Sequence, residues 1–265
     1  MLRNLRDWRR QRVLDRSPLD PQRWEAVLAS FPFLRALDRD EGEKLRRWVT
    51  LFLREKDMHG AAGLALDDGM RYAIAAQACI LILELDLEYF RGWAEVVVYP
   101  NEFLAPRNYV DEAGVVHSHR EALAGEAWLG GPVILSWADA APGEYRDGVN
   151  VVIHEFAHKL DMLNGEADGY PPLHRGMTRK AWLEAFETAY RDFCDRVDAG
   201  EEMPIDPYAS EHPGEFFAVM TEAFFEIPQE LQGAYPEVYR QLSLFYRQDP
   251  LLRVARATRR VGMPV

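Results

Sequence analysis

Two histidines and a glutamate stand at a spacing that suits metal-assisted chemistry. The segment His154-Glu155-Phe156-Ala157-His158 has the form His-Glu-x-x-His. On a helix, residues four apart project from the same face about one turn apart, so both imidazoles can reach one metal ion. Glu155 lies beside them and can accept a proton from a water molecule bound to that ion. The spacing therefore predicts a catalytic metal centre, and zinc is the ion for which it is typical.

A pair of core histidines or a structural metal site could produce the same spacing. Apolar residues surround the motif on nearly every side of the predicted helix, so its polar side chains must find partners. A structural zinc site normally closes with four protein ligands, often thiolates. The two cysteines, Cys79 and Cys194, are far from the motif in sequence, which favours a catalytic site with a position left for water.

Zinc bound by two histidines needs a third protein ligand, and one downstream segment offers four carboxylates. They are Glu211, Glu215, Glu222 and Glu226. On a helix they would lie within about 60° of one another, so helical geometry cannot select among them. Pro213 suits a first helical turn and leaves Glu211 in the preceding loop. Glu215 and Glu222 remain as alternatives.

The elements that must position these residues follow an α+β order. Apolar residues three and four apart predict helices at both ends of the chain, and β-branched residues with period two predict a small sheet between them. The predicted helices are 21–29, 40–56, 69–84, 149–163, 179–197, 213–226 and 229–248. The predicted strands are 95–99, 132–137 and a short strand at Val115-Val116, after a turn at Ala113-Gly114.

Composition limits the classes of function. The chain has 265 residues, a formal charge of −12 and 48% hydrophobic residues, which predicts a folded protein without a nucleic-acid partner. No segment approaches the roughly twenty apolar residues of a membrane span, and no apolar run follows the basic N-terminus, so we expect no membrane association and a cytoplasmic location. We expect a basic tail at 1–20 and a single unit at 21–265, with possible lobes 21–163 and 164–265 around a cleft.

Two segments carry a family resemblance. Residues 154–161, His-Glu-Phe-Ala-His-Lys-Leu-Asp, and 208–219, Tyr-Ala-Ser-Glu-His-Pro-Gly-Glu-Phe-Phe-Ala-Val, closely resemble the Mlc titration factor A zinc peptidases. They are more distantly similar to the catalytic domain of anthrax lethal factor. The likeness covers most of the chain, apart from its first dozen residues.

This resemblance implies a zincin-like, gluzincin-like metallopeptidase with one zinc ion per chain. It assigns His154, His158 and Glu215 as metal ligands, Glu155 as general base, and Tyr208 as a group that stabilises the reacting carbonyl. It further implies a cytoplasmic enzyme with aminopeptidase action on small peptide substrates, which also binds a glucose-responsive, Mlc-like transcriptional repressor. The alternative is a non-catalytic protein that sequesters the repressor and has a structural zinc site. Without the resemblance, Tyr208 would be interpreted as an ordinary surface tyrosine.

Two further expectations concern the surroundings of the centre. Asp161 could hold a ligand imidazole in its tautomer, and Glu222 could orient a ligand in the same way. The apolar strand 132–137 could be an exposed sheet edge to which an extended peptide adds, or an interior strand that is already paired. His117, His119, His174 and His212 are expected to have surface or hydrogen-bonded roles, although His117-x-His119 could bind a metal.

Overall fold

Helices precede and follow a small mixed sheet, as the α+β pattern predicted. The computed structural model describes residues 2–110, 116–143 and 148–261. Its α-helices within these ranges are α1 (Leu2–Arg16), α2 (Pro21–Ser30), α3 (Pro32–Arg35), α4 (Arg39–Glu55), α5 (Asp68–Leu81), α6 (Trp137–Ala140), α7 (Val151–Asp161), α8 (Arg179–Asp198), α9 (Pro213–Glu226), α10 (Pro228–Ala234), α11 (Pro236–Tyr246) and α12 (Pro250–Val261). Short 3₁₀ helices occupy Leu87–Phe90, Met162–Asn164 and Pro207–Ser210. None of the described helices is both long and apolar enough to cross a membrane.

The strands form a four-stranded sheet and a separate hairpin. They are β1 (Asp57–Gly60), β2 (Glu95–Tyr99), β3 (Phe103–Val110), β4 (Val116–Leu123), β5 (Gly125–Ala127) and β6 (Val133–Ser136). The sheet order is β1-β2-β6-β5, in which β5 alone runs antiparallel to its neighbour. Strands β3 and β4 pair antiparallel. The predicted turn at Ala113-Gly114 lies outside the described residues, as does Val115, while Val116 begins β4.

The suggestion that residues 132–137 form an exposed edge was wrong. Strand β6 pairs with β2 on one side, where Val133 faces Val96, and with β5 on the other, where Val133 faces Ala127. Its apolar run reflects this interior position, with Val133 and Leu135 fully buried. Among the described strands, β5 is the outer strand on this side of the sheet.

A single predicted helix over 229–248 was also wrong, because the structure has two. Helix α10 ends at Ala234, and Pro236 begins α11. Proline has no amide hydrogen and its ring collides with the preceding turn, so the backbone breaks at Tyr235. The other long helices lie within two residues of their predicted bounds, except that α5 ends at Leu81, three residues before its predicted end, while residues 162–163 belong to a 3₁₀ helix.

The basic N-terminal segment is helical over Leu2–Arg16. Arg10 forms two hydrogen bonds to the Asp86 carboxylate, of 2.9 and 3.1 Å, and its guanidinium lies 5.4 Å from the centre of the Trp48 ring. These contacts attach Arg10 to the rest of the chain, whereas a side chain in a freely solvated tail would have none.

A continuous core joins the helices to the sheet and holds α7 in the interior. Phe156 of α7 packs against Phe52, Phe90 and Trp93, with ring centres 5.1–5.7 Å apart. Phe217 of α9 packs near Trp182, with ring centres 6.0 Å apart. Burial of such rings anchors both helices, and the two helices contact each other directly.

Candidate metal centre

Helix α7 places His154, Glu155 and His158 within one turn of each other. Asn150 caps the helix, since its side-chain oxygen accepts a hydrogen bond of 2.9 Å from the backbone N–H of Ile153. Glu155 and His158 are buried, and His154 is nearly so. The two imidazole rings meet edge to face, 4.8 Å apart between centres, so their Nε2 atoms face the same small volume.

Glu215, in the first turn of α9, completes a group of three donors. Its Oε2 lies 3.0 Å from Nε2 of His154 and 3.2 Å from Nε2 of His158, while the two Nε2 atoms are 3.1 Å apart. Tetrahedral bonds of about 2.0–2.1 Å to zinc would separate ligand atoms by about 3.3–3.4 Å. A small shift of each side chain would therefore accommodate the ion. The three residues form a candidate metal cluster among the described residues.

The charge state of Glu215 suits a cation. Burial alone would raise the pKa of its carboxyl, but hydrogen bonds and charge from His154 and His158 lower that pKa far below its ordinary value. The carboxylate is therefore ionised across the physiological pH range. Pro213 begins α9 as predicted, and this start brings Glu215 to the two imidazoles.

Glu222, two turns further along α9, contacts His154 through the ring nitrogen that does not face the other two donors. One carboxylate oxygen lies 2.7 Å from Nδ1 of His154, and the other accepts a hydrogen bond from the backbone N–H of Asn150. Asn150 also donates through its side chain to Gln77 and Glu226, at 2.9 Å each. A buried polar network thus connects the beginning of α7 to α5 and α9, and Glu222 lies outside the group of three donors.

Asp161 does not make the predicted bond to an imidazole. Its Oδ2 accepts a 2.7 Å hydrogen bond from the backbone N–H of Gly169, while its Oδ1 and Nδ1 of His158 are buried and have no hydrogen-bond partner among the described residues. Burial raises the pKa of Asp161 to about 7, although the bond from Gly169 opposes this rise.

The Gly169 loop abuts the start of α9. Gly169 has φ +79°, and a Cβ atom there would lie 2.5 Å from the carbonyl oxygen of Pro213. A second close approach occurs at Gly214, where a Cβ would lie 2.5 Å from the carbonyl oxygen of Ala167. The loop after α7 is therefore packed tightly against the helix that carries Glu215.

Glu155 faces strand β5. A Cβ atom at Gly125 would lie 2.5 Å from Oε1 of Glu155 and 2.7 Å from a methyl group of Val151, so only glycine leaves room for this carboxylate. Burial raises the pKa of Glu155, and the neighbouring imidazoles oppose that rise. A carboxylate with a raised pKa is better suited to accept and return a proton near neutral pH.

Tyr208 lies at the open side of the group. Its ring centre is 6.1 Å from that of His154, and its side chain is 48% exposed. The 3₁₀ helix that carries it is capped by Asp206, whose carboxylate accepts a 2.9 Å hydrogen bond from the backbone N–H of Tyr208. The structure therefore brings together all five predicted site residues, with His154 at their centre.

The remaining histidines have other roles where their side chains are described. His174 is hydrogen-bonded to the Tyr89 hydroxyl at 3.0 Å and to the Phe245 carbonyl at 2.6 Å, and His212 caps α9. The side chains of His117 and His119 lie outside the described residues. Sequence reasoning missed Asn150, Gln77 and Gly125, although Asn150 at the start of an apolar helix is a recognisable capping signal.

The comparisons with known proteins point to a metallopeptidase family. A family profile described as glucose-regulated metallo-peptidase M90 matches residues 5–247. The chain is 37% identical over 238 residues to the Mlc titration factor A of Cronobacter sakazakii, covering 89% of each chain. It is 36% identical over 232 residues to the protein of that name from Klebsiella pneumoniae, covering 87% of each, and 37% identical over 250 residues to an uncharacterised protein of Synechocystis, covering 93% of this chain and 90% of the relative.

Proposed function

The chain belongs to the glucose-regulated metallo-peptidase family M90, and on that basis we propose that it is a zinc-dependent peptidase. We assign one zinc ion to His154, His158 and Glu215, and the role of general base to Glu155. The observation that carries the proposal is the meeting of three donor atoms at 3.0–3.2 Å beside a buried glutamate on the helix that carries the two histidines. The order of these residues is gluzincin-like, with a glutamate on a second helix as third ligand.

The proposed chemistry divides between the ion and the side chains. When bound, zinc lowers the pKa of a coordinated water to about 7 and polarises a carbonyl group. Glu155 would take a proton from the attacking water on its carboxylate and deliver it to the leaving amine, a transfer that its raised pKa favours. The Tyr208 hydroxyl, at the open side, donates a hydrogen bond to the carbonyl oxygen as negative charge develops there.

Strand β5 offers a surface for the substrate. Among the described strands it is the outer one on the side of the sheet near Glu155, and it passes Glu155 at Gly125. An extended peptide can pair with such an edge through its backbone, which gives register with little side-chain selectivity. In agreement with the family resemblance, we propose aminopeptidase action on small substrates and a cytoplasmic location, where Cys79 and Cys194 remain free thiols.

A protein partner forms a second part of the proposal. Two of the relatives are named Mlc titration factor A, and we propose that this chain likewise binds a repressor of the Mlc type directly. The alternative is a non-catalytic, repressor-sequestering protein with a structural zinc site. The buried Glu155 beside the three donors favours catalysis, because a structural site has no use for a base.

Substitution of Glu155 by glutamine separates these functions. The Glu155→Gln protein should retain zinc while its hydrolysis of a chromogenic aminoacyl substrate falls by orders of magnitude, since the base is lost and the donors remain. His154→Ala should lose both zinc and activity. A rate near that of the wild type in Glu155→Gln would disprove the assigned mechanism. Capture of purified repressor by the glutamine variant would show that binding is independent of catalysis, and loss of capture by the folded variant would place binding at the active site.

A further inference from the structure

Two large apolar side chains project into solvent at the end of strand β5. Trp128 and Leu129 are 51% and 59% exposed, and they begin the turn that connects β5 to β6. Exposed apolar residues are common singly, but two adjacent ones beside a sheet edge that leads to the candidate active site form a continuous surface. Contact with a ligand would remove this surface from water.

The turn is held in place by the helix that carries the two histidines. Lys159 follows His158, and its ammonium group donates to the carbonyl oxygens of Trp128 at 2.5 Å and Gly131 at 2.8 Å. Two backbone hydrogen bonds close the turn, from Trp128 N–H to the Pro132 carbonyl at 3.1 Å and from Gly131 N–H to the Trp128 carbonyl at 3.0 Å. The two apolar side chains are thus presented from a backbone fixed relative to α7.

Strand geometry relates this turn to the reacting bond. Gly125 marks the level of Glu155, and Trp128 lies three residues further along the chain. At about 3.3 Å per residue, the turn begins about 10 Å from that level. Antiparallel pairing is the slightly more stable arrangement for an added strand. A peptide paired in this way places residues on the N-terminal side of its scissile bond against the turn.

We propose that Trp128 and Leu129 form a subsite for an apolar side chain about three to four residues N-terminal to the scissile bond. The inference rests on the proposed peptidase function and deepens it. Small aminoacyl substrates reach only the proposed metal centre. Longer peptides with leucine or phenylalanine about three to four residues before the scissile bond also contact the turn. The turn therefore adds a second class of substrates, extended peptides cut at an internal bond, to the small substrates of the proposed aminopeptidase action.

The first test uses the zinc-loaded wild-type protein and a set of peptides based on alanine and serine. Each peptide contains one leucine, moved by one position from peptide to peptide, and mass spectrometry identifies the cleaved bond. The expected result is cleavage at a constant distance on the C-terminal side of the leucine. In the double variant Trp128→Ala/Leu129→Ala, this dependence should disappear while hydrolysis of a small aminoacyl substrate stays within about twofold. Cleavage that ignores the leucine in the wild type would overturn the subsite.

A second test does not depend on turnover. Fluorescent peptides with leucine or aspartate at the preferred position are titrated into Glu155→Gln protein, and binding is followed by anisotropy. We expect the leucine peptide to bind about tenfold more tightly, a typical effect of one apolar group in a pocket, and the double substitution to remove the difference. Equal affinities would overturn the subsite, and so would a preference that survives in the double variant. A leucine preference in a protein that hydrolyses nothing would support the subsite and refute the peptidase function.

A matched control tests whether any exposed apolar side chain matters. Trp8 and Leu252 are also large and more than half exposed, but they lie on α1 and α12. Trp8→Ala/Leu252→Ala should leave peptide selectivity unchanged. Circular dichroism and zinc content of both double variants should match the wild type. If Trp128→Ala/Leu129→Ala lost its fold, the single substitution Leu129→Ser should still reduce the preference for leucine peptides. An unchanged preference in Leu129→Ser would overturn the assignment of Leu129 to the subsite.

Discussion

Replacement of Glu222 by glutamine should weaken zinc binding although Glu222 is not one of the proposed ligands. A carboxylate can only accept hydrogen bonds, so Nδ1 of His154, 2.7 Å away, must carry the proton when Glu222 is ionised. This tautomer leaves Nε2 free to bind the metal. The same carboxylate accepts from the backbone N–H of Asn150, so both of its oxygens have donors.

Glutamine cannot satisfy both donors. Its carbonyl can accept from His154 or from Asn150, and its NH₂ group then faces the other donor. Loss of a supporting carboxylate typically costs 10–100-fold in metal affinity, which is about 1.4–2.7 kcal/mol. One buried donor left without an acceptor should also lower the free energy of unfolding by about 1–3 kcal/mol.

The assay is a zinc titration against a competing chelator, with imidazole ¹⁵N shifts to report the tautomer of His154. Glu226→Gln is the matched control, since Glu226 is a buried glutamate on the same helix whose Oε1 accepts from the Asn150 side chain at 2.9 Å. The control should change zinc affinity by less than about threefold, below the range for loss of a supporting carboxylate. A zinc affinity within about twofold of wild type in Glu222→Gln would refute the argument from the tautomer.

Other substitutions test separate parts of the structure. Glu215→Ala should remove most zinc from the purified protein, as measured by elemental analysis, because two imidazoles alone hold the ion weakly; full zinc content would exclude Glu215 as a ligand. Tyr208→Phe should lower kcat with KM nearly unchanged, and a rise in KM alone would remove the role assigned to its hydroxyl. Gly169→Ala should lower the free energy of unfolding, measured by chemical denaturation, by about 2–5 kcal/mol, because alanine would meet both the positive φ and the Pro213 carbonyl oxygen. A loss below about 1 kcal/mol would show that the loop relaxes around the added methyl group. Burial lowers the pKa of Lys56 from 10.5 to about 8, so the unfolded chain binds more protons than the folded chain between these pH values. The free energy of unfolding of the wild type, measured relative to Lys56→Met, should therefore rise with pH from about 8 to 10.5. A difference that does not change with pH would contradict the lowered pKa.

Local signals in the sequence predicted much of the candidate site. The four-residue spacing of His154 and His158 placed both imidazoles on one helix face, and Pro213 located the start of the next helix. Helical spacing left Glu215 and Glu222 open, and only the family resemblance selected Glu215. The physical reason for that choice is the way α9 packs across α7, which no spacing pattern contains. In the structure Glu215 reaches both Nε2 atoms, whereas Glu222 reaches Nδ1 of His154 from behind.

The sheet was harder to predict for a similar reason. Strand β5 consists of Gly-Glu-Ala, residues with little preference for strands, and it exists because β6 pairs with it. Residues 132–137 had the same apolar pattern whether they formed an edge or an interior strand, so their position depended on neighbours distant in sequence. By contrast, the break at Pro236 follows from local chemistry and could have been predicted from the proline alone.

The separation of the three donors along the chain has a consequence for biosynthesis. Glu215 lies 57 residues after His158 and 61 after His154, and α8 intervenes. During translation, the two histidines leave the ribosome well before the glutamate does, since domains grow from the N-terminus at about 5–20 residues per second. For several seconds the nascent chain therefore presents two imidazoles without their carboxylate partners. Stable metal loading must wait until α9 has emerged and docked on α7, so the proposed metal is acquired only after α8 and α9 have been synthesised.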